Sequence, residues 1–422
     1  MEVKPGYKQT EVGVIPEEWE TAVLGDKTEK VGSGITPTGG ERVYKHEGRP
    51  FMRSQNVGWG TLLLDDVAFI DDATHARFPD TEIRVEDVFL NITGASIGRS
   101  ALADARIRGG NVNQHVCIIR AQQTKLYPRF LNYCLLSETG QRQIDSFQAG
   151  GNRQGLNFAQ VRSISIGLPP LPEQRAIATA LIDVDALLGA LDRLIAKKRD
   201  IKQAAMQQLL TGQTRLPGFH GEWEALKMSE KSTLKARIGW QGLTTAEYLR
   251  SGEYYLVTGT DFIDGRVNWS SCCFVAAFRY VQDSNIQLKP RDILLTKDGT
   301  IGKVGFVDSL PAPATLNSGV FVIRPKGDAY DPLFFYHVLT SRIFEDFLNK
   351  LQAGSTISHL YQKDFVTFSF FAPVTLAEQT AIAAVLSDMD AELAALGQRR
   401  EKTRALKQGM MQELLTGKTR LV

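Results

Sequence analysis

The sequence predicts an α+β chain built as a pseudo-twofold cyclic repeat, in which two globular α/β modules are joined by two long antiparallel coiled-coil helices. Three observations predict it. Residues 173–216 and 378–421 are 25 identities in 44 positions, without a gap. Both blocks carry apolar residues at heptad spacing, the pattern of a long packed helix. Outside these blocks, short β-branched or aromatic runs alternate with glycine-rich turns, the pattern of small sheets.

The repeat comes first because it organises everything else. Outside the strong block the register is kept: Thr10 and Trp19 match Thr214 and Trp223, Asn113 and Pro128 match Asn317 and Pro332, and Leu131 matches Phe335 or its neighbour Phe334. Gly94, Ile97 and Gly98 match Gly299, Ile301 and Gly302. The second copy ends at TGKTRL (416–421), where the first runs on into Pro217, Gly218 and Trp223; Thr10, Val14, Ile15, Pro16 and Trp19 supply that continuation at the N-terminus. The two units therefore close cyclically, which predicts chain ends lying side by side.

In the first copy Ile177, Leu181, Val184, Leu188, Leu191 and Ile195 form the seam, and in the second Ile382, Leu386, Met389, Leu393 and Leu396. Pro169, Pro170 and Pro172, and later Pro373, are expected to stop these helices upstream, and Gly212 and Gly417 to stop them downstream. Each helix would run about 39 residues, roughly 58 Å at 1.5 Å per residue. Core packing alone is the alternative for a single stripe; two matched helices point to an antiparallel spacer. The modules span about 20–168 and 224–372. Val116–Ile119, Ile293–Leu295 and Val320–Ile323 read as strands, and 128–147 and 332–350 as helical. The expected division is 1–168, 169–216, 217–372 and 373–422.

Composition excludes other classes. A chain that is 43% hydrophobic and 23% charged is neither disordered nor collagen-like, and a net charge of +2 leaves any polyanion binding to local patches. Cys117, Cys134, Cys272 and Cys273 lack zinc spacing, so free thiols in a reducing compartment are expected. No apolar run approaches a membrane span, and the N-terminus has no apolar core of a signal peptide, so a soluble cytoplasmic protein without membrane partners is expected.

The motifs GYKQTEVGVIPEEW (6–19), FMRSQNV (51–57), TGASIGR and DGTIGK (93–99 and 298–303), LPPLPEQRAIA (168–178) and KKRDIKQAAMQQLLTGQTRL (197–216), with the cyclic duplication, are specific as a set. Over its full length the sequence resembles the specificity subunit of type I restriction-modification systems. The resemblance implies two target-recognition domains, each reading half of a bipartite, asymmetric double-stranded DNA site, held apart by antiparallel helices. Two modification subunits, carrying S-adenosylmethionine and adenine N6-methylation chemistry, would dock on those helices, with restriction subunits outside. No cofactor is expected in this chain. The second copy departs from the pattern at PVTLAEQ (373–379) and at ARIGWQGLTTAEY (236–248), set against VGSGITPTGG (31–40). These leave fold and role in place and the DNA target open.

A self-contained methyltransferase or endonuclease is the competing reading, and a DNA-independent coiled-coil scaffold a third. The base-holding Asn/Asp-Pro-Pro-aromatic run is absent; Asp331, Pro332, Leu333 and Phe334 come nearest, and the leucine breaks it. VGSGI (31–35) is too little for a cofactor loop. Pro290, Arg291, Asp292 and Lys297 loosely resemble a nuclease core but lack its second acidic residue.

Polar, glycine-flanked turns are the expected DNA readers, because glycine lets backbone approach phosphate while amides and cations bond to bases and phosphates. In the first module these are Arg53, Gln55, Ser96, Arg99, Asn113, Gln114, Asn152, Arg153 and Gln154; in the second, Lys297, Lys303, Asn317, Ser355, Thr356 and His359. The alternative for each is a solvated turn or a capping side chain, and for Asn113 and Asn317 a local staple. The acidic stretch from Asp65 to Asp87 is expected to face away from DNA. Trp19 and Trp223 read as core anchors.

Overall fold

The computed structural model describes residues 4–148, 155–352 and 359–421. The chain divides into two compact units, residues 1–192 with 399–422, and 193–398.

Unit 1 is centred on an antiparallel sheet of β1 (Thr28–Ser33), β2 (Val88–Asn91), β3 (Ser100–Leu102) and β4 (Val116–Ala121), in the order β1-β4-β2-β3. β2 and β4 are apolar at nearly every position and lie mid-sheet, covered on both faces. A smaller sheet sets Arg49–Met52 between Ala68–Ile70 (antiparallel) and Asn111–Val112 (parallel). Helices α1 (Pro128–Leu136) and α2 (Glu138–Ser146) follow, α1 opening on a proline at its first turn where no N–H is needed. The long helix α3 covers Leu171–Leu209.

Unit 2 repeats the plan. Its sheet holds β5 (Ser232–Ala236), β6 (Ile293–Thr296), β7 (Val304–Phe306) and β8 (Val320–Pro325) in the order β5-β8-β6-β7, extended past β7 by Arg266–Val267 and Phe262–Ile263. Its smaller sheet sets Tyr254–Val257 between Cys273–Val275 and Ala314–Leu316, with the same senses. Then come α4 (Pro332–Leu339), α5 (Arg342–Gln352) and the second long helix α6 (Leu376–Leu414). The fold class is the one the sequence predicts.

Each unit takes one part of each long helix, and within each the two parts run antiparallel. In unit 1 Asp185 pairs with Lys407 (2.7 Å) and Asp192 with Arg400 (3.3 Å); in unit 2 Lys198 pairs with Glu392 (2.8 Å) and Lys202 with Asp390 (2.5 Å). The heptad stripe does two things. Ile177 and Leu181 are buried in the first module's core beside Leu414 and Leu415; Ile382 and Leu386 are buried in the second beside Met206, Leu209 and Leu210. Further along, Leu191 and Ile195 are buried, while Val184, Leu188, Met389, Leu393 and Leu396 are half-buried. Core packing and helix pairing, set against each other on sequence, thus divide one stripe between them.

One expectation needs correcting. α3 begins at Leu171, so Pro172 lies in its first turn and only Pro169 and Pro170 precede it; proline is tolerated there because first-turn N–H groups have no intrahelical partner. Gly212 and Gly417 follow their helices with φ of +72° and +68°, the left-handed stop expected of them.

The chain ends meet in unit 1. The Tyr7 hydroxyl donates to the Gly417 carbonyl (3.1 Å), and Arg420 donates to Glu173 (2.6 and 2.9 Å) and Glu18 (3.1 Å). Trp19 is fully buried and its indole N–H donates to Glu173 (3.1 Å). In unit 2 the continuous chain builds the same group: Arg215 donates to Glu378 (2.5 Å) and lies over the Trp223 ring.

Candidate nucleic-acid interface

In each module the glycine turn after the second sheet strand (β2 or β6), the turn holding Asn113 or Asn317, and a returning segment of chain converge. The returning chain is fixed by Leu156 N–H donating to the Ile92 carbonyl (2.8 Å) in the first module and Leu360 N–H to the Lys297 carbonyl (2.8 Å) in the second. Gly94 and Gly98 (φ +74° and +84°), and Gly299 and Gly302 (φ +69° and +86°), turn each loop. Asn113 and Asn317 are local staples: their carboxamide oxygens accept the backbone N–H of His115 (3.0 Å) and Gly319 (2.9 Å).

In the first module exposed Gln114 sits in a chain of hydrogen bonds. Its oxygen accepts the Thr36 hydroxyl, its nitrogen lies 3.0 Å from His115 Nε2, and His115 Nδ1 meets the Thr93 hydroxyl. Ser96 and Arg99 lie on the adjoining turn, both half-buried. Arg53 and Gln55 are held elsewhere: Arg53 donates to the Asp66 carboxylate (3.1 Å) and lies over the Tyr44 ring, and Gln55 donates to the same carboxylate (2.6 Å). Asp66 belongs to the acidic stretch, so that stretch is not set apart from the candidate readers. Two other members have structural partners: Asp87 is buried against Arg120 (2.7 Å), and hydrogen bonds from Thr74 hold the Asp71 carboxyl below its usual range. Asn152, Arg153 and Gln154 lie outside the described residues.

In the second module Lys297 and His359 converge on Asp298, Lys297 at 3.2 Å and His359 through Nδ1, with the His359 ring 4.5 Å from that of Tyr361. The Lys303 ammonium donates to the Gly259 carbonyl (3.2 Å), and the Asn317 amide lies 3.4 Å from the Tyr248 hydroxyl. Behind this turn Arg237 is buried, donating to the Leu316 carbonyl (2.8 Å), and burial lowers its pKa from the ordinary value. Ser355 and Thr356 lie outside the described residues.

Sequence reasoning did not single out Thr36, Thr93, His115, Asp298 or Tyr248. The usable signal was adjacency: His115 follows Asn113 and Gln114, and Asp298 follows Lys297. Among the described residues no cluster of His, Cys, Asp or Glu is placed to hold a metal. No described helix is long and apolar enough to cross a membrane.

Away from these turns each unit has a cleft, and the two are repeats of each other. In unit 1 a cleft of about 630 Å³ is lined by Gln408, Met411, Gln412 and Thr416 of α6 and its C-terminal turn, facing Ser137 at the start of α2. In unit 2 a cleft of about 650 Å³ is lined by Gln203, Met206, Gln207 and Thr211, facing Ser341 at the start of α5. The four helix-side residues correspond one to one at an offset of 205.

The family of the type I restriction modification DNA specificity domain matches residues 16–198 and 246–403, most of the chain in two copies. The chain belongs to the type I restriction-modification specificity-subunit family. It is similar to a putative type I restriction enzyme specificity subunit, MjaX, of Methanocaldococcus jannaschii, at 23% identity over 98% of this chain and 97% of that one. In fold it is similar to the crystal structure of a type I restriction-modification S subunit from M. genitalium, with a TM-score of 0.62, 14% identity and 98% of both chains covered. A second solved structure, from work on complex assembly and conformational transition of a type I system, aligns with a TM-score of 0.59 at 19% identity, covering 96% of this chain and 99% of that one. With the family in hand, the convergent turns and the paired clefts are the surfaces of this specificity subunit that call for a function.

Proposed function

We propose that each module of this specificity subunit reads one half of a bipartite, asymmetric DNA site, and that the two clefts and adjoining helix surfaces each dock one modification subunit. The observation that carries this is a contrast between surfaces. Where the copies agree, in the lining Gln, Met, Gln and Thr of each cleft, identical partners can be bound twice. Where they differ, in Thr36, Thr93, Gln114 and His115 against Lys297, Asp298 and His359, different base sequences can be read. Partner binding is further supported by exposed apolar side chains on the helices: Leu187 and Leu406 in unit 1, Leu194 and Ile201 in unit 2.

In this reading the chain is non-catalytic, and S-adenosylmethionine and the adenine N6-methylation chemistry belong to the modification subunits. Restriction subunits join the loaded complex. With a net charge of +2 the chain neutralises few phosphates alone, so binding tightens as modification subunits add contacts. Methylome sequencing of a chimaera in which residues 20–168 come from a relative tests the two-reader scheme. One half-site should change and the other stay; a change in both, or a continuous palindromic target, overturns it. Native mass measurement should give two modification subunits per chain, and a stable 1:1 complex would remove the paired docking.

A further inference from the structure

We propose that Gln114 reads the major-groove edge of an adenine in the half-site taken by the first module, with His115 as the positioning residue that orients its amide; this rests on the DNA-reading role proposed above. Asn113 is buried and pins the turn, so Gln114 is carried outward on a fixed backbone and is exposed. The amide is gripped on both sides, by the Thr36 hydroxyl at its oxygen and by His115 Nε2, 3.0 Å from its nitrogen. With the amide donating to Nε2, the imidazole proton sits on Nδ1 and is donated to the Thr93 hydroxyl.

A carboxamide has two N–H donors and two oxygen lone pairs. Among the described residues, the grip uses one of each. One donor and one acceptor remain on a single planar group. That pair matches adenine, whose N7 accepts and whose N6 amino group donates; guanine offers two acceptors, cytosine a donor alone, and thymine an acceptor beside a methyl group. Exchanging the amide oxygen and nitrogen leaves the same count, because hydroxyl and imidazole can each donate or accept. The side chain is ordered before DNA arrives, so less rotamer freedom is lost on binding.

The second module lacks the device. At the equivalent positions it has Ser318 and Gly319 after the stapling Asn317, so neither the reading amide nor its imidazole support is present. The adenine contact is therefore assigned to one half-site only.

The test uses the full chain co-expressed with its modification subunits. Methylome sequencing of the Gln114→Ala complex should show a bipartite motif relaxed at a single A·T position in the first module's half-site, with the second half-site unchanged. His115→Ala should relax the same position to a smaller degree, an effect a merely structural role would not confine to one base pair. If the variants methylate too weakly to read, the wild-type complex is titrated with duplexes carrying 7-deazaadenine at each adenine of that half-site. One position should lose about tenfold in affinity, and that loss should vanish in Gln114→Ala. An unchanged motif in Gln114→Ala, relaxation at a G·C pair, or indifference to every 7-deazaadenine overturns the adenine assignment while leaving the two-reader scheme standing. Absence of a bipartite motif in the wild type would instead sink the underlying reading.

Discussion

Unit 1 and unit 2 share a plan and pack it differently. The first module's core is mainly aliphatic, with Leu126, Leu131, Leu135, Ile144 and Val161 around Phe130. The second is dominated by rings: Phe335 stacks on Phe370 at 4.6 Å and touches Tyr330 and Phe368. The buried polar groups differ as well. Trp19 has a carboxylate for its N–H, whereas the Trp223 N–H is buried without a partner among the described residues. Tyr133 donates to Asp185, but at the equivalent place His337 meets Ser387. The comparison teaches that one backbone plan and one set of repeated cleft residues tolerate different interiors.

The largest break in the comparison should come from the cores. Phe335→Ala removes a fully buried ring and should cost about 3–5 kcal/mol, against about 2–5 kcal/mol for Leu131→Ala at the matching site. Hydrogen exchange resolved by unit reads both. A smaller loss for Phe335→Ala would mean that the aromatic cluster repacks, and the contrast between interiors would fail.

The tryptophans should differ next. Trp19→Phe forfeits a hydrogen bond to a buried carboxylate and should destabilise unit 1 by about 2 kcal/mol. Trp223→Phe removes an N–H that has no partner among the described residues, so it should shift unit 2 by less than Trp19→Phe shifts unit 1. Equal melting shifts for the two would show that the Trp19 bond contributes no net stability.

The third contrast is in pH. Burial, reinforced by Lys202 and Arg266, pulls His337 from its usual 6.5 down to about 3. Folded unit 2 therefore holds this ring neutral while the unfolded chain would protonate it. Stability is complete well above pH 6.5 and falls as pH drops from there toward 3, by about 2 kcal/mol at pH 5. Unit 1 has Tyr133 at that position and should lack this component. Denaturant titrations at pH 7 and pH 5 should show the loss in wild type and lose that component in His337→Leu; equal slopes in both proteins would remove His337 as the cause.

The repeat and the helices were legible because each rests on local periodicity. The long helix expected in the segment 169–216 is found at Leu171–Leu209, and the strands at Val116, Ile293 and Val320 are found in the two main sheets. The extension strands Phe262–Ile263 and Arg266–Val267 left no such mark, being two residues each and formed only by pairing with each other and, through Arg266, with β7. Much of the candidate interface was illegible for a related reason. Arg53 and Gln55 look like free donors in sequence, and only the return of the chain to Asp66 shows them occupied. The support that Thr36, Thr93 and His115 give Gln114 brings together residues up to 78 apart in sequence, and no spacing rule finds that.

The smallest expected difference is between the carboxylates that join the long helices in each unit. Asp185 accepts from Lys407 (2.7 Å) and from the Tyr133 hydroxyl (2.8 Å), tying helix to helix and helix to module. Asp390 accepts from Lys202 (2.5 Å) alone among the described residues. Both pairs are partly exposed, so the charge component is screened and worth at most ~0.5 kcal/mol in each unit. The hydroxyl bond is an additional ~1 kcal/mol in unit 1. Asp185→Ala in a Tyr133→Phe background isolates it: the aspartate substitution should cost ~1 kcal/mol more with the tyrosine present than without it. Asp390→Asn should stay near ~0.5 kcal/mol and shrink further in 0.5 M salt, where the screening length falls to about 4 Å. If the double-mutant cycle in unit 1 closes to zero, the tyrosine bond contributes no net stability and the two helix junctions are energetically equivalent despite their different chemistry.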